Sequence, residues 1–184
     1  AAGMYNTLLQ AEEPALVIEC LNGYRKKEAK PSNIGEFTIP LGSPEITRTG
    51  SDLTILSYGS TFNLCADAAD RLVDLGIEVE LVDARTLLPF DLSGVTASSV
   101  AKTNKLLVVD EDVPGGASSY LLEDVLNRQG AWKYLDSQPQ TLAAKPHLPA
   151  YGSDGDYFSK PSVDDIVEKV YGIMNETDPA SYPN

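Results

Sequence analysis

Beyond residue 45, short apolar stretches alternate with longer stretches in which apolar residues recur every three or four positions. Short apolar runs bounded by turn residues predict buried strands, and the longer period predicts amphipathic helices. The predicted strands are Leu53–Tyr58, Ile77–Val82, Lys105–Asp110 and a weaker one at Thr141–Ala144. The predicted helices run from Gly59 to a glycine turn at Gly76, from Ser93 to Thr103, from Gly115 to about Arg128, and from Ser162 to about Met174.

This alternation of strands and helices indicates an α/β fold. Parallel neighbouring strands need a crossover connection, and such crossovers are usually helical. We therefore predict a three-layer α/β/α sandwich around a mostly parallel sheet of about five strands.

The two ends of the chain follow other patterns. Ala1–Gln10 predicts a short helix and Ala15–Cys20 a buried strand, whereas residues 21–44 carry repeated glycines and prolines without a sustained period. We place a domain boundary near residue 45, one α/β domain over 45–175, and a polar, frayed tail over 176–184. The chain opens without methionine, which we take as a sign of a longer polypeptide.

The formal net charge of -13 changes the range of expected partners. An acidic surface repels phosphate backbones and anionic headgroups, so neither nucleic acid nor a membrane is expected. Cys20 and Cys65 are the two cysteines and fit buried free thiols, which favours a cytoplasmic location.

Two glycine turns, Tyr58–Thr61 and Asp110–Gly116, each lead from a strand into a helix. Free amides at such helix starts can bind a small anion. In the other interpretation the glycines permit tight turns and Ser60 or Thr61 caps a helix. The acids in the second turn favour this structural interpretation. An anion site would use these residues: Gly59, Ser60, Gly115 and Gly116.

No motif for catalysis, for a dinucleotide or for a metal is found. Neither glycine turn matches G-x-G-x-x-G or G-x-x-x-x-G-K-S/T, and the nucleophile motif G-x-S-x-G is absent. His147 is the only histidine and lies between prolines, so we expect a structural or solvated role. We predict no catalytic, cofactor-binding or metal-binding residue in this chain.

The most specific segment is Val82–Asp91, with the sequence VDARTLLPFD. Arg85 and Asp91 either form an ion pair that fixes the loop or face a subunit boundary. The acids Asp110, Glu111 and Asp112 form a second candidate contact surface.

VDARTLLPFD resembles the strand-and-loop signature of the transketolase carboxy-terminal domain family. Three further landmarks agree in order and spacing: Ile39–Gly42 (IPLG), the strand Thr54–Gly59, and Val108–Glu111 followed by Gly115 and Gly116. The IPLG segment and the form of the loop are most similar to the β subunit, or fused β half, of 2-oxoacid dehydrogenases acting on pyruvate or branched-chain oxoacids.

The resemblance implies thiamine diphosphate and Mg²⁺ in the complete enzyme, held between a domain with a GDG motif and a pyrimidine-binding domain with an activating glutamate. This chain has neither motif, so the resemblance implies that absent domains bind the cofactor. Residues 1–44 would be the end of the pyrimidine-binding domain plus a linker.

For this chain the resemblance implies assembly and docking, with the isolated fragment inactive. The expected partners are a sister β chain, an α subunit or α half, and the subunit-binding domain of a lipoyl acyltransferase, whose basic surface an acidic patch would attract. Two alternatives stay open: the C-terminal domain of a transketolase or deoxyxylulose-phosphate-synthase-like enzyme, and a regulatory module that binds a small anion.

Overall fold

Five strands form one sheet in the order β1-β3-β2-β4-β5 in a computed structural model that describes residues 1–27, 29–148, 151–152 and 155–183. The strands are β1 (Glu45–Arg48), β2 (Leu53–Ser57), β3 (Val79–Asp83), β4 (Leu106–Val109) and β5 (Gln140–Leu142). All neighbouring pairs are parallel except β1 with β3. The predicted α/β class and the mostly parallel sheet are confirmed.

Helices cover both faces of the sheet. They are α1 (Ala2–Leu8), α2 (Gly59–Asp74), α3 (Val95–Thr103), α4 (Ala117–Glu123), α5 (Gly155–Ser159) and α6 (Val163–Thr177), and α4 continues into a π-helical turn, Asp124–Arg128. Helices α2 and α6 pack on one face and α3 and α4 on the other. These are the three predicted layers. In the described parts of the chain, no helix combines the length and apolar character needed to cross a bilayer.

The core follows the hydrophobic pattern of the sequence. Every residue of β2 and β4 is buried, as expected for central strands covered on both faces. Cys65, Ala68 and Leu72 line the inner side of α2 at helical spacing. Burial of each large aliphatic side chain in these layers contributes roughly 1.5–3 kcal/mol before the entropy of ordering is subtracted.

The helix ends match the predicted stop and start signals. Gly76 follows α2 with φ +73°, a conformation in which glycine avoids a Cβ penalty. Ser162 caps α6 by accepting the amide of Asp165 at 3.2 Å, and the Asp165 carboxylate accepts the amide of Ser162 at 2.8 Å. This reciprocal pair is a capping box.

The N-terminal arm, residues 1–44, differs from the prediction in one element. Helix α1 is present, and Asn6 Nδ2 fastens it to the carbonyls of Ile34 and Phe37 at 2.9 and 2.7 Å. The strand predicted at Ala15–Cys20 is wrong, because the segment is irregular and largely exposed. Its apolar composition resembles a strand, but no described strand lies beside it to pair with its backbone.

The C-terminal tail is ordered, and the prediction of a frayed tail is wrong for the described residues. Helix α6 continues to Thr177, and the chain then folds back along it. Tyr171 donates its hydroxyl to the carbonyl of Pro183 at 2.9 Å and meets the ring of Tyr182 edge to face, with centroids 6.0 Å apart. Tyr182 also packs against the core beside α2 and α6. The polar composition of the tail gave no sign of this apolar contact.

Candidate functional site

The carboxyl ends of the parallel strands gather three turns at one edge of the sheet. They are the turn after β2, the loop 84–92 after β3, and the acidic turn 110–116 after β4. The helices that follow β2 and β4 lie on opposite faces, so the two neighbouring strands flank a topological switch point. Open α/β sheets usually bind ligands in such a crevice.

Tyr58 and Asp110 close this crevice from its two sides. The Tyr58 hydroxyl donates to Asp110 Oδ1 at 2.8 Å, and the Ser118 amide donates to Asp110 Oδ2 at 2.9 Å. The Asp110 carboxylate is fully buried. Burial, followed by the hydrogen bond to Asp110, raises the pKa of the Tyr58 phenol. The Asp110 carboxylate therefore accepts an amide hydrogen bond at the start of α4, where a bound anion would otherwise accept it.

The glycines of the two turns allow the backbone to turn tightly. Gly59 and Gly115 have φ of +62° and +92°, which favours glycine. The Gly116 amide donates to the carbonyl of Val113 at 3.0 Å. The Ser60 hydroxyl is a buried oxygen without a partner among the described residues. Anion binding by these four residues stays a prediction.

Hydrogen bonds to Gly42 and a hydrogen bond within the loop hold the loop 84–92 in place. The Thr86 hydroxyl accepts the Gly42 amide at 2.8 Å and donates to the Pro89 carbonyl at 2.7 Å, and the Leu92 amide donates to the Gly42 carbonyl at 2.9 Å. The sequence landmarks IPLG and VDARTLLPFD therefore contact each other. At the outer surface of the loop, Leu88 and Leu92 are 83% and 68% exposed.

Arg85 and Asp91 do not pair with each other, so the first interpretation of these residues is wrong. Arg85 forms an ion pair with Glu45 of β1. The fully buried Asp91 accepts the amides of Val95 and Thr96 at 2.8 and 2.7 Å and so caps α3. Asp91 is buried at the start of α3 while Arg85 pairs with Glu45 of β1, so the two side chains have separate partners.

The three acids of the second turn differ in exposure. Asp110 is buried, Glu111 forms a 3.1 Å ion pair with Lys160, and Asp112 is exposed while accepting the Val113 amide at 2.8 Å. Direct contact with a partner is therefore open to Glu111 and Asp112, whereas Asp110 shapes the turn.

One group at this edge was not predicted from the sequence. On the π-helical turn, Arg128 donates to both oxygens of the Asp124 carboxylate at 2.5 and 2.8 Å, and to the carbonyls of Phe90 and Asp91 at 3.3 and 2.8 Å. Gln129 donates to Asp124 at 2.8 Å. The spacing of Asp124 and Arg128 signals a helical ion pair, but no local pattern signals the contact with the loop.

The described residues offer no metal centre. Within them, no three side chains of the His, Cys, Asp and Glu types come together as metal ligands. His147 Nε2 lies 3.2 Å from the Ser159 hydroxyl and its ring packs beside Phe158, in agreement with a structural role. Cys20 and Cys65 are free thiols, and Cys65 is buried whereas Cys20 is partly exposed.

Comparisons with known proteins agree on one family. Residues 42–165 match the model for the C-terminal domain of transketolase. The chain is 31% identical over 175 residues to the pyruvate dehydrogenase E1 component subunit beta of Rhizobium meliloti, covering 94% of this chain and 37% of that protein. It is 30% identical over 179 residues to the acetoin:2,6-dichlorophenolindophenol oxidoreductase subunit beta of Bacillus subtilis, covering 96% and 50%.

Among solved structures, a split gene transketolase described as an inactive β4 tetramer shares the fold. The TM-score is 0.61 at 18% identity, over 78% of this chain and 45% of that chain. The chain thus spans at most about half the length of these relatives.

Proposed function

Because the chain belongs to the transketolase C-terminal domain family, we propose that it is the assembly and docking domain of the first component of a thiamine-diphosphate-dependent 2-oxoacid dehydrogenase. The complete enzyme oxidatively decarboxylates a 2-oxoacid and transfers the acyl group to lipoamide. In this proposal the chain is the C-terminal part of a β subunit, or of a fused β half, is inactive alone and works in the cytoplasm.

The observation that carries the assembly role is the exposed segment 15–20. Leu16 and Ile18 are 87% and 83% exposed, and no described hydrogen bond uses the amides of residues 15–19. Unpaired backbone beside exposed apolar side chains can pair with a neighbouring strand. We propose that residues 1–44 end a pyrimidine-binding domain, with its remaining sheet covering this segment.

The residues that the structure describes do not supply the groups that the cofactor needs. A diphosphate with Mg²⁺ needs free donors and a group of oxygen ligands, but Asp110 takes the amide at the start of α4 and the described residues hold no ligand cluster. The proposal therefore assigns thiamine diphosphate and Mg²⁺ to other domains of the complete enzyme.

Two partners are proposed for the carboxyl edge. The loop 84–92, with Leu88 and Leu92 exposed on a rigidly held backbone, would meet a sister β chain. The exposed Asp112 and the half-buried Glu111 would attract the basic subunit-binding domain of a lipoyl acyltransferase and speed its encounter. An α subunit or α half is a further proposed partner of the chain.

Hydrogen exchange tests the assembly role. We expect the amides of residues 15–19 to exchange at the unprotected rate in this chain alone, and to become protected in a longer polypeptide that supplies the preceding domain. Amides of β2 serve as the internal control, because they are protected in both. Strong protection of residues 15–19 in the isolated chain would contradict the proposal.

Calorimetry tests the cofactor assignment. We expect no heat of binding when thiamine diphosphate and Mg²⁺ are titrated into the chain, and no turnover of a 2-oxoacid. Saturable binding with a stoichiometry near one would overturn the assignment of the cofactor to other domains.

Self-association tests the contact with a sister chain. Sedimentation equilibrium should show concentration-dependent association that Leu88→Asp weakens. Leu75→Asp is the matched control, because Leu75 is also an exposed leucine but lies at the end of α2, away from the loop. Equal effects of the two substitutions would remove the loop from the proposed interface.

A further inference from the structure

The loop 84–92 keeps an unusual backbone. Arg85 and Asp91 have φ of +59° and +35°, in the left-handed region that side chains with a Cβ rarely adopt. Such conformations cost roughly 1–3 kcal/mol each and persist only where the surroundings hold them, which happens most often at functional sites. The loop therefore depends on its fastenings to present Leu88.

Arg128 provides a fastening that reaches the loop from the π-helical turn after α4, on the same face of the sheet. Its guanidinium donates to two consecutive loop carbonyls, those of Phe90 and Asp91, at 3.3 and 2.8 Å. Asp124, almost fully buried, accepts from both Arg128 and Gln129 and so fixes the direction of the guanidinium. Planar geometry with several donors suits this bridging contact better than the single ammonium of lysine.

The same network continues to α3. Gln129 Oε1 accepts the Ala97 amide at 3.1 Å, while Asp91 accepts the two preceding amides, those of Val95 and Thr96. The end of the loop, the start of α3 and the π-helical turn are therefore one hydrogen-bonded unit. A π-helical turn places residues in a register that a regular α-helix does not provide, and such turns occur frequently at functional sites.

We infer that Arg128 is a positioning residue for the subunit contact: from the π-helical turn it holds the carbonyls of Phe90 and Asp91 and thereby sets the position of Leu88 against a second copy of this chain. The inference rests on the proposed contact between the loop and a sister chain. Arg128 acts through the loop, so its contribution to association depends on Leu88.

A double-mutant cycle on the full chain tests this dependence. The variants are Arg128→Met, Arg128→Lys, Leu88→Asp and Leu88→Asp with Arg128→Met. The readouts are the self-association constant from sedimentation equilibrium, measured well below the unfolding temperature, and the melting temperature. A purely structural role changes the melting temperature, and only the positioning role makes the effect on association depend on Leu88.

We expect Leu88→Asp to weaken association by about tenfold or more and Arg128→Met by about threefold to tenfold, as for an anchor and its support. Arg128→Lys should weaken association nearly as much as Arg128→Met does. In the Leu88→Asp background, Arg128→Met should add less than about twofold to the loss of association, while lowering the melting temperature as much as it does alone.

The variants test the positioning role of Arg128 separately from the contact between the loop and a sister chain. If Leu88→Asp leaves association unchanged, the proposed sister-chain contact fails. If Leu88→Asp weakens association but Arg128→Met does not, or if the two losses multiply independently, the contact stands and the positioning role of Arg128 is refuted.

Discussion

Removal of the Asp91 carboxylate should unfold the protein more easily, although Asp91 lies in a loop. Asp91→Ala leaves the half-buried amide of Val95 and the buried amide of Thr96 without their acceptors at the start of α3. Loss of such a cap costs about 0.5–2 kcal/mol, and each buried donor left unsatisfied costs about 1–3 kcal/mol. Part of these two costs is the same, so we expect a total loss of about 2–4 kcal/mol.

Asp91→Asn separates the hydrogen bonds from the backbone conformation. Asparagine tolerates the positive φ of +35° and keeps one acceptor oxygen, whereas alanine keeps none and is strained there. The asparagine variant should therefore lose about half as much free energy of unfolding as the alanine variant. Asp112→Ala, which removes an exposed acid from the other turn, should change stability by less than about 0.5 kcal/mol.

Urea denaturation followed by circular dichroism gives the three free energies of unfolding from the midpoints and the slopes. A loss below about 0.5 kcal/mol for Asp91→Ala, at an unchanged slope, would refute the capping role. An equal loss for Asp112→Ala would show instead that stability responds to acidic charge in general.

Three further predictions concern other contacts. Gly42→Ala should cost about 1–2 kcal/mol in urea denaturation, because φ is +70° and a new Cβ would lie 2.8 Å from Leu92 Cγ; an unchanged midpoint would contradict this. Burial and the hydrogen bond to Asp110 raise the pKa of Tyr58 above its ordinary 10.0, so the stabilisation from this phenol is complete below pH 10 and is lost as the pH rises further. The stability advantage over Tyr58→Phe should therefore shrink above pH 10, and an advantage that grew with pH would reverse the assigned sign. Tyr182→Ala should release the C-terminal tail and lower stability by about 1–2 kcal/mol, and carboxypeptidase digestion at the wild-type rate would show that the ring does not hold the tail.

Local signals were sufficient for most of the central elements. The strands β2, β3 and β4 and the helices α2 and α6 follow from apolar runs and helical spacing, because both patterns depend on residues close in the chain. The short edge strand β1 was not predicted, since its four residues are mostly exposed and show no apolar run. The segment 15–20 was predicted as a strand on the same local signal, which cannot report whether a neighbouring strand is present.

The sequence by itself determined the α/β class, the capping box of α6 and the landmarks of the family, since each depends on residues a few positions apart. The tertiary structure decided which distant groups meet: Arg85 with Glu45, and Arg128 with the loop. These partners lie up to 40 positions apart, and their pairing depends on how the layers pack, because a charged group binds whichever acceptor or donor the fold brings within hydrogen-bonding distance.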